Sequence, residues 1–339
     1  MVYFYCEAST QIGFGHLQRC ILIAQYLRNE LGQTTAFCET SAAIKEHLNY
    51  YGIKTFEAIE KLPPKQIIIF DVAHDINLSA PEKCCKLISH LHQLGHKIIF
   101  LDGVNNHRFN PKSNTIPIIE LVVTPYLGAK YPPYIPAQQW LHGANFILVD
   151  PQLGNIETSF SQKIKSVLIT MGGTDRCEMT SYVLCALKQY SHINFNVIIG
   201  PLFSTSLKEN LLNLAKQHAN IRLIDSPHSL LPYYQQSDMV ICTTGITSYE
   251  ILVAGLSSIQ ISCVESHIEH FSHVEFSNYI DYLGYYKDVS HKNIQKKFQE
   301  LISTRSQHLN MKNQPSRIAD SHGIKRLAIA IQEQLIGLV

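Results

Sequence analysis

Three segments of this 339-residue chain set glycine beside hydroxyl, carboxylate or imidazole side chains at spacings that suit chemistry on a phosphorylated substrate. The first is Glu7-Ala8-Ser9-Thr10-Gln11-Ile12-Gly13-Phe14-Gly15-His16. Gly13 and Gly15 permit positive φ or close approach of a ligand. A helix starting at Leu17 would aim free N–H groups and a positive dipole end at an anion. A dinucleotide fingerprint would need glycine at position 18, where Gln18 stands, so an NAD site is rejected. His16, at the helix start, suits a general base, because a neutral imidazole keeps a nitrogen able to accept a proton near pH 7.

The second segment is Met171-Gly172-Gly173-Thr174-Asp175, a strand-to-helix turn whose amides could cradle a phosphate, with the helix expected from about Cys177. The third is Thr243-Thr244-Gly245-Ile246-Thr247-Ser248-Tyr249-Glu250. Its hydroxyls and amides suit a diphosphate, and Glu250 could accept both hydroxyls of a ribose. Thr247 to Glu250 also fits a capping box at the start of a helix Ser248 to Gly255. Asp71, His74 and Asp75 could reach a sugar or simply terminate a strand. His267, His270 and His273 recur every three residues on an expected helix. Because structural zinc would need tighter convergence and a fourth ligand, they are read as a polar stripe and no metal is expected. Tyr126, Tyr131, Tyr134 and Trp140 are expected to pack a domain boundary rather than stack on a sugar.

These loops need a scaffold, and short β-branched runs supply it: Val2 to Cys6, Thr34 to Cys38, Gln66 to Phe70, Lys97 to Leu101 and Glu120 to Thr124. Between them lie helical periods, clearest at Leu17, Cys20, Ile21, Ala24, Leu27 and Leu31. The pattern breaks in a Pro-, Tyr- and Gly-rich stretch from Pro125 to Pro151. It resumes with Ser166 to Thr170, Asn194 to Ile199, Ile221 to Ile224, Met239 to Cys242 and Ser258 to Ser262. Strand alternating with helix predicts an α/β chain of two Rossmann-like domains, residues 1–150 and 151–339, with parallel sheets facing a central cleft. A last amphipathic helix, from about Pro315 to Leu335, could pack back on the first domain.

Composition narrows the classes further. The length is roughly twice that of a usual domain of about 100 to 200 residues. Apolar residues make up 45% and charged residues 16%, which is ordinary for a globular chain with a real core. Lys and Arg number 28 against 27 Asp and Glu, without a basic block, so the footprint of a nucleic-acid binder is missing. The apolar runs are strand-sized, far below the roughly 18 residues of a membrane span, and no charged leader precedes an apolar stretch. A cytoplasmic protein is expected. Nine scattered cysteines without a C-x-x-C pair read as reduced, buried thiols.

Taken together, Gln11 to His16, the Gly172-Gly173-Thr174-Asp175 turn and the Gly245-x-Thr247-x-Tyr249-Glu250 loop resemble the UDP-2,4-diacetamido-2,4,6-trideoxy-β-L-altropyranose hydrolases of pseudaminic acid biosynthesis. The spacing matches over most of the chain, and Asp320-Ser321-His322-Gly323-Ile324-Lys325-Arg326 resembles that family's Asp-Gly-x-Gly-x-x-Arg stretch. The family is similar in fold to the GT-B nucleotide-sugar glycosyltransferases. The resemblance implies UDP on the second domain, with Glu250 on the ribose, Gly245 to Thr247 on the phosphates and the backbone near Ile224 on the uracil. It implies a metal-free and cofactor-free reaction in which His16 activates water to attack the anomeric carbon and UDP departs. The partner is then a UDP-linked amino sugar, with other enzymes of the same sugar pathway as possible neighbours.

Tyr5-Cys6-Glu7 replaces the family's Arg-x-Asp, Asp102-Gly103 replaces Asp-Asp, and Ser266-His267 aligns with an Asn-Gln pair near the phosphates. These departures fall mainly on the sugar side, where Glu7, Gly13, Gly15 and Asp71 are expected to touch substrate. The chain therefore reads as a divergent hydrolase of a UDP-linked deoxy amino sugar. A glycosyltransferase of surface glycan assembly and a nucleotide-sugar-binding protein without efficient chemistry are the alternatives.

Overall fold

The computed structural model describes residues 1–9, 11–39, 42–73, 80–109, 116–156, 163–273, 279–304 and 318–336. The chain divides into two compact units, Met1–Val149 with Asp320–Val339, and Asp150–Ala319.

In the first unit the strands are β1 (Val2–Cys6), β2 (Thr35–Cys38), β3 (Lys54–Phe56), β4 (Ile67–Asp71), β5 (Lys97–Leu101), β6 (Ile119–Thr124) and β7 (Ala137–His142). They form one parallel sheet in the order β3-β2-β1-β4-β5-β6-β7. Interior strands such as Ile67-Ile68-Ile69-Phe70 are buried along their whole length. A parallel sheet covered on both faces demands such continuous apolar runs. The helices α1 (Gly15–Leu31), α2 (Ala42–Tyr50) and α3 (Ala80–Gln93) connect them.

In the second unit β8 (Ser166–Thr170), β9 (Asn194–Ile199), β10 (Ile221–Asp225), β11 (Met239–Thr243), β12 (Ser257–Ser262) and β13 (Asp281–Tyr285) form a parallel sheet in the order β10-β9-β8-β11-β12-β13. Its helices are α4 (Met179–Leu187), α5 (Thr205–Gln217), α6 (Leu231–Gln235), α7 (Ile246–Ala254), α8 (His267–Phe271) and α9 (His291–Ser303). Strand interdigitation with α4, α5 and α9 builds its core around Val183, Phe195, Val197, Ile241, Ile294 and Phe298.

The expected α/β class and the parallel sheets are present. Three strands escape the sequence pattern, β3, β7 and β13, and each is an edge strand. Ala137-Gln138-Gln139-Trp140-Leu141-His142 is only half covered, so it lacks the continuous apolar signature. That is why Pro125 to Pro151 reads as a break.

The last helix, α10 (Gly323–Ile336), packs in the first unit, where Ile324, Leu327 and Ile331 join Leu17, Ile21 and Ala24 of α1 in one core. A Cβ on Gly323 would overlap the backbone of Ile147, so only glycine permits this approach. Asp320 and Arg326 close the start of α10 through paired 2.7 Å hydrogen bonds, and Arg326 Nη1 also donates to Asn145 O at 2.9 Å. The segment likened to the Asp-Gly-x-Gly-x-x-Arg stretch thus ties the last helix to the chain just before residue 150.

Candidate functional site

In each sheet the strand order reverses direction once, between β1 and β4 in the first unit and between β8 and β11 in the second. At such a switch point the connections leave toward opposite faces, and a crevice opens beyond the strands' carboxyl ends. The glycine-bearing segments singled out above leave β1, β8 and β11, so all three sit at these crevices.

In the first unit Ser9 Oγ accepts from the amides of Gln11 and Ile12 at 3.2 and 3.1 Å, and Gly13 N donates to Ser9 O at 2.8 Å. Gly13 turns the chain at φ +84°, a conformation natural to glycine. The helix α1 then begins at Gly15 with no side chain capping it and no acidic residue in its first turn. His16 sits in that first turn, with 23% of its side chain exposed.

Asp71 ends β4, next to Cys6 of β1 in register. It has no exposed surface. Its Oδ1 lies 2.6 Å from His16 Nδ1, while Arg19 donates from Nη2 to Oδ1 at 2.5 Å and from Nε to Oδ2 at 2.8 Å. The Cys20 thiol adds a weak donor at 3.5 Å. Burial alone would push the Asp71 carboxyl up, but the Arg19 guanidinium and the His16 ring outweigh it and hold the pKa down at about 2. Asp71, expected to touch substrate, has its oxygens turned to His16 and Arg19. His74 and Asp75 lie outside the described residues.

Arg19 escaped the sequence reading. Its signal was a cation one turn after His16 among the apolar residues Leu17, Cys20 and Ile21, where an unpaired charge is too costly to keep. Asp102, just past β5, is a second buried carboxyl, accepting from Gly103 N at 3.1 Å and Thr124 Oγ1 at 3.4 Å. Burial outweighs those hydrogen bonds and pushes its pKa up to about 7. Glu7 accepts from Ala73 N at 3.1 Å, and it lines a cavity of about 460 Å³ together with Tyr5, Ile12, Glu39, Glu57 and Glu60. Lys45 offsets Glu39 at 2.9 Å, and Glu7, Glu57 and Glu60 leave the cavity wall acidic.

In the second unit the backbone of the turn after β8 packs closely against Gly200. A Cβ on Gly200 would come within 2.5 Å of the carbonyl oxygens of Gly172 and Gly173, and Leu202 N donates to Gly173 O at 2.9 Å. Thr174 is half-buried. Asp175, at φ +39°, accepts from the amides of Met179 and Thr180 at 2.8 Å each. The helix starts at Met179 rather than Cys177, and this carboxylate already occupies its first amides. A phosphate at this turn would be left with the amides of the loop itself.

After β11, α7 begins at Ile246, two residues earlier than expected. Gly245 is its N-cap at φ +149° and donates its N–H to Ser248 Oγ at 3.2 Å. The expected Thr247-to-Glu250 capping box is therefore absent, because Thr247 is already inside the first turn. Glu250 instead accepts from the Tyr234 hydroxyl of α6 at 2.7 Å. Burial raises the Glu250 pKa against the effect of that hydrogen bond, and Asp150 adds to the rise. Thr247 also reaches the Tyr234 hydroxyl.

The fold brings Thr244 and His267 together at 3.2 Å from Nδ1, with Ser262 Oγ 2.9 Å from the same threonine hydroxyl. Ser266 immediately precedes α8. His270 points to Tyr249, 2.7 Å from Nε2 to the hydroxyl, and burial with the neighbouring His267 and His273 pushes its pKa down to about 3. His267 and His270 therefore diverge to separate partners. Among the described residues no group of three or more His, Cys, Asp or Glu could hold a metal ion. Ile224 lies on the edge strand β10, opposite Ile198.

No family model matches the chain. Among curated proteins it is 21% identical over 319 residues to the uncharacterized protein MJ1062 of Methanocaldococcus jannaschii, with 85% of this chain and 62% of that protein covered. The chain thus spans less than two thirds of that relative's length. Solved structures share the fold over nearly the whole chain. MurG of Acinetobacter baumannii aligns at a TM-score of 0.61 with 13% identity, covering 98% of this chain and 100% of that one. A glycosyltransferase of Rickettsia africae aligns at 0.60 with 14% identity, covering 98% of each chain. S. aureus MnaA, solved with UDP, aligns at 0.62 with 10% identity, covering 100% of this chain and 97% of that one. At such identities the likeness establishes the fold: two parallel-sheet Rossmann-like α/β domains of the GT-B kind. Among the described residues no helix is long and apolar enough to cross a membrane.

Proposed function

We propose that this chain is an enzyme of UDP-linked sugars that hydrolyses the glycosyl C–O bond of a UDP-linked 2,4-diacetamido-trideoxy-hexose, releasing UDP and the free sugar. The observation that carries the proposal is His16, tethered to a buried carboxylate at the uncapped start of α1 and at the switch point of its sheet. A fold shared with a protein solved in complex with UDP and the loop resemblance to the sugar-nucleotide hydrolases supply the substrate class.

In this reading water gives a proton to His16 as its oxygen bonds to the anomeric carbon. The C–O bond to the diphosphate breaks with its electron pair leaving on UDP. Such general-base help is worth roughly 10²- to 10⁴-fold. The nucleotide belongs on the second unit, at Gly245 and Thr247 for the phosphates, Glu250 for the ribose and the Ile224 backbone for the uracil, with Gly172, Gly173, Thr174, Thr244, Ser266 and His267 around them. The acidic cavity beside Glu7 repels a diphosphate and suits the sugar end instead.

A second reading replaces water by a sugar hydroxyl, which makes the protein a glycosyltransferase. The full-length likeness to the Rickettsia africae glycosyltransferase favours it. Calorimetric titration of UDP against UMP, CDP and GDP is the first test, and selective UDP binding is expected. UDP-linked amino sugars are then incubated with the protein. Release of free sugar and UDP without an acceptor is the expected result, whereas UDP release only when an acceptor is added would establish transfer. Equal binding of all four nucleotides, or of none, would end both readings.

A further inference from the structure

We propose that Asp71 is the positioning residue that decides which nitrogen of His16 takes the proton, and that Arg19 occupies the rest of the carboxylate so that the proton stays on the ring. This rests on His16 being the base of the proposed reaction, although its first test needs no substrate.

The geometry leaves little freedom. An ionised carboxylate only accepts hydrogen bonds. With Oδ1 of Asp71 2.6 Å from Nδ1, His16 must carry its N–H on Nδ1. A neutral imidazole has a single N–H, so Nε2 keeps a bare lone pair. Among the described residues Nε2 has no hydrogen-bond partner, and the ring remains partly exposed.

Arg19 completes the device. Its Nε and Nη2 engage both oxygens of Asp71 from the same helix that carries His16, one turn further on. The guanidinium cannot deprotonate, so it keeps the carboxylate charged and offsets much of the negative field that Asp71 would otherwise exert on the ring. Asp71 therefore orients the base. Among the described residues the other ionisable groups near this pair are the Cys20 thiol of the same helix, Cys6 on β1 and Asp102 beyond β5. Burial holds Cys20 as a neutral thiol.

The test is the tautomer of His16 in the full-length ¹⁵N-labelled protein, read from long-range ¹H–¹⁵N imidazole spectra about two pH units above the ordinary histidine value. The His16→Gln protein assigns the signal. A neutral ring with its proton on Nδ1 is expected. A neutral ring with its proton on Nε2 would overturn the proposal, and the pH is raised until one ring proton is lost.

In Asp71→Asn the carboxamide can donate as well as accept, so the Nδ1-protonated fraction should fall. On the substrate found by the UDP-release assay, kcat should drop by roughly 10²-fold with KM little changed. Because that variant strands a buried guanidinium, the Asp71→Asn/Arg19→Gln protein, which removes both charges, is measured beside it and should show the same loss. An unaltered tautomer and kcat in a folded double variant would refute the positioning role. Titration with UDP separates the two ideas: an Nδ1-protonated His16 in a protein that binds no UDP supports the positioning role while ending the nucleotide-sugar reading.

Discussion

His16 and Asp71, 55 residues apart in sequence, meet at 2.6 Å between Nδ1 and Oδ1, the histidine partly exposed and the aspartate with no exposed surface. The pair exists because β1 and β4 are neighbours in the sheet. The helix that leaves β1 starts over the last residue of β4, and Asp71 is that residue.

Arg19→Met should destabilise the fold by about 3 to 5 kcal/mol, since it leaves the Asp71 charge buried without its cation. Urea unfolding at neutral pH measures it. The Asp71 pKa is depressed in the folded protein, so the stability it contributes is present above its ordinary value. That stability is lost only as pH falls through about 2. Without Arg19 burial raises the Asp71 carboxyl instead, so the stability deficit of the variant should be largest at neutral pH and shrink as pH falls and that carboxyl takes a proton.

Glu250→Ala should weaken UDP binding by about 1 to 3 kcal/mol, the contribution of a charged hydrogen-bonding group. Tyr234→Phe should weaken it less, because it removes only the hydroxyl that orients the carboxylate. Calorimetry on both proteins checks the order. Equal UDP affinity in Glu250→Ala and wild type would remove the ribose assignment.

Asp102 carries the opposite sign from Asp71. Burial raises its folded pKa to about 7, so the folded state binds a proton that the unfolded chain has already released between about pH 4 and 7. Stability from this group falls across that window by at most about 1.4 kcal/mol per pH unit. Asp102→Asn has no such proton to lose. Its stability relative to wild type should rise from pH 5 to pH 8, and denaturant melts at the two pH values test this. A difference that does not change with pH would show that Asp102 ionises normally.

Gly323→Ala should loosen α10 from the first unit, because the added methyl meets the Ile147 backbone, which cannot swing aside as a side chain can. A loss of about 1 to 3 kcal/mol is expected from such overpacking. Hydrogen exchange of the α10 amides should rise before that of the β1 and β4 amides. Uniform protection across all three would contradict this account of the glycine.

The interior strands were legible because continuous apolar runs such as Ile67 to Phe70 have one use in a parallel α/β sheet, to be covered on both faces. Helix α1 and the placing of His16 at its start followed from local periodicity and two glycines. Of the four edge strands only β10 was legible, because the half-covered residues of a strand such as β7 carry no comparable pattern. Nor were the tasks of the polar residues. Asp175 could bind a ligand or cap its own helix, and only the turn at φ +39° aims it at Met179 and Thr180. Glu250 could cap a helix or face a ribose, and the arrival of α6 gives it Tyr234. Asp71 could reach a sugar or simply terminate its strand, and strand adjacency puts it behind His16, a task the sequence did not suggest. Backbone pattern is written locally, in propensity and periodicity. A charged side chain takes its role from whichever partner the sheet order carries to it, and that partner lies dozens of residues away.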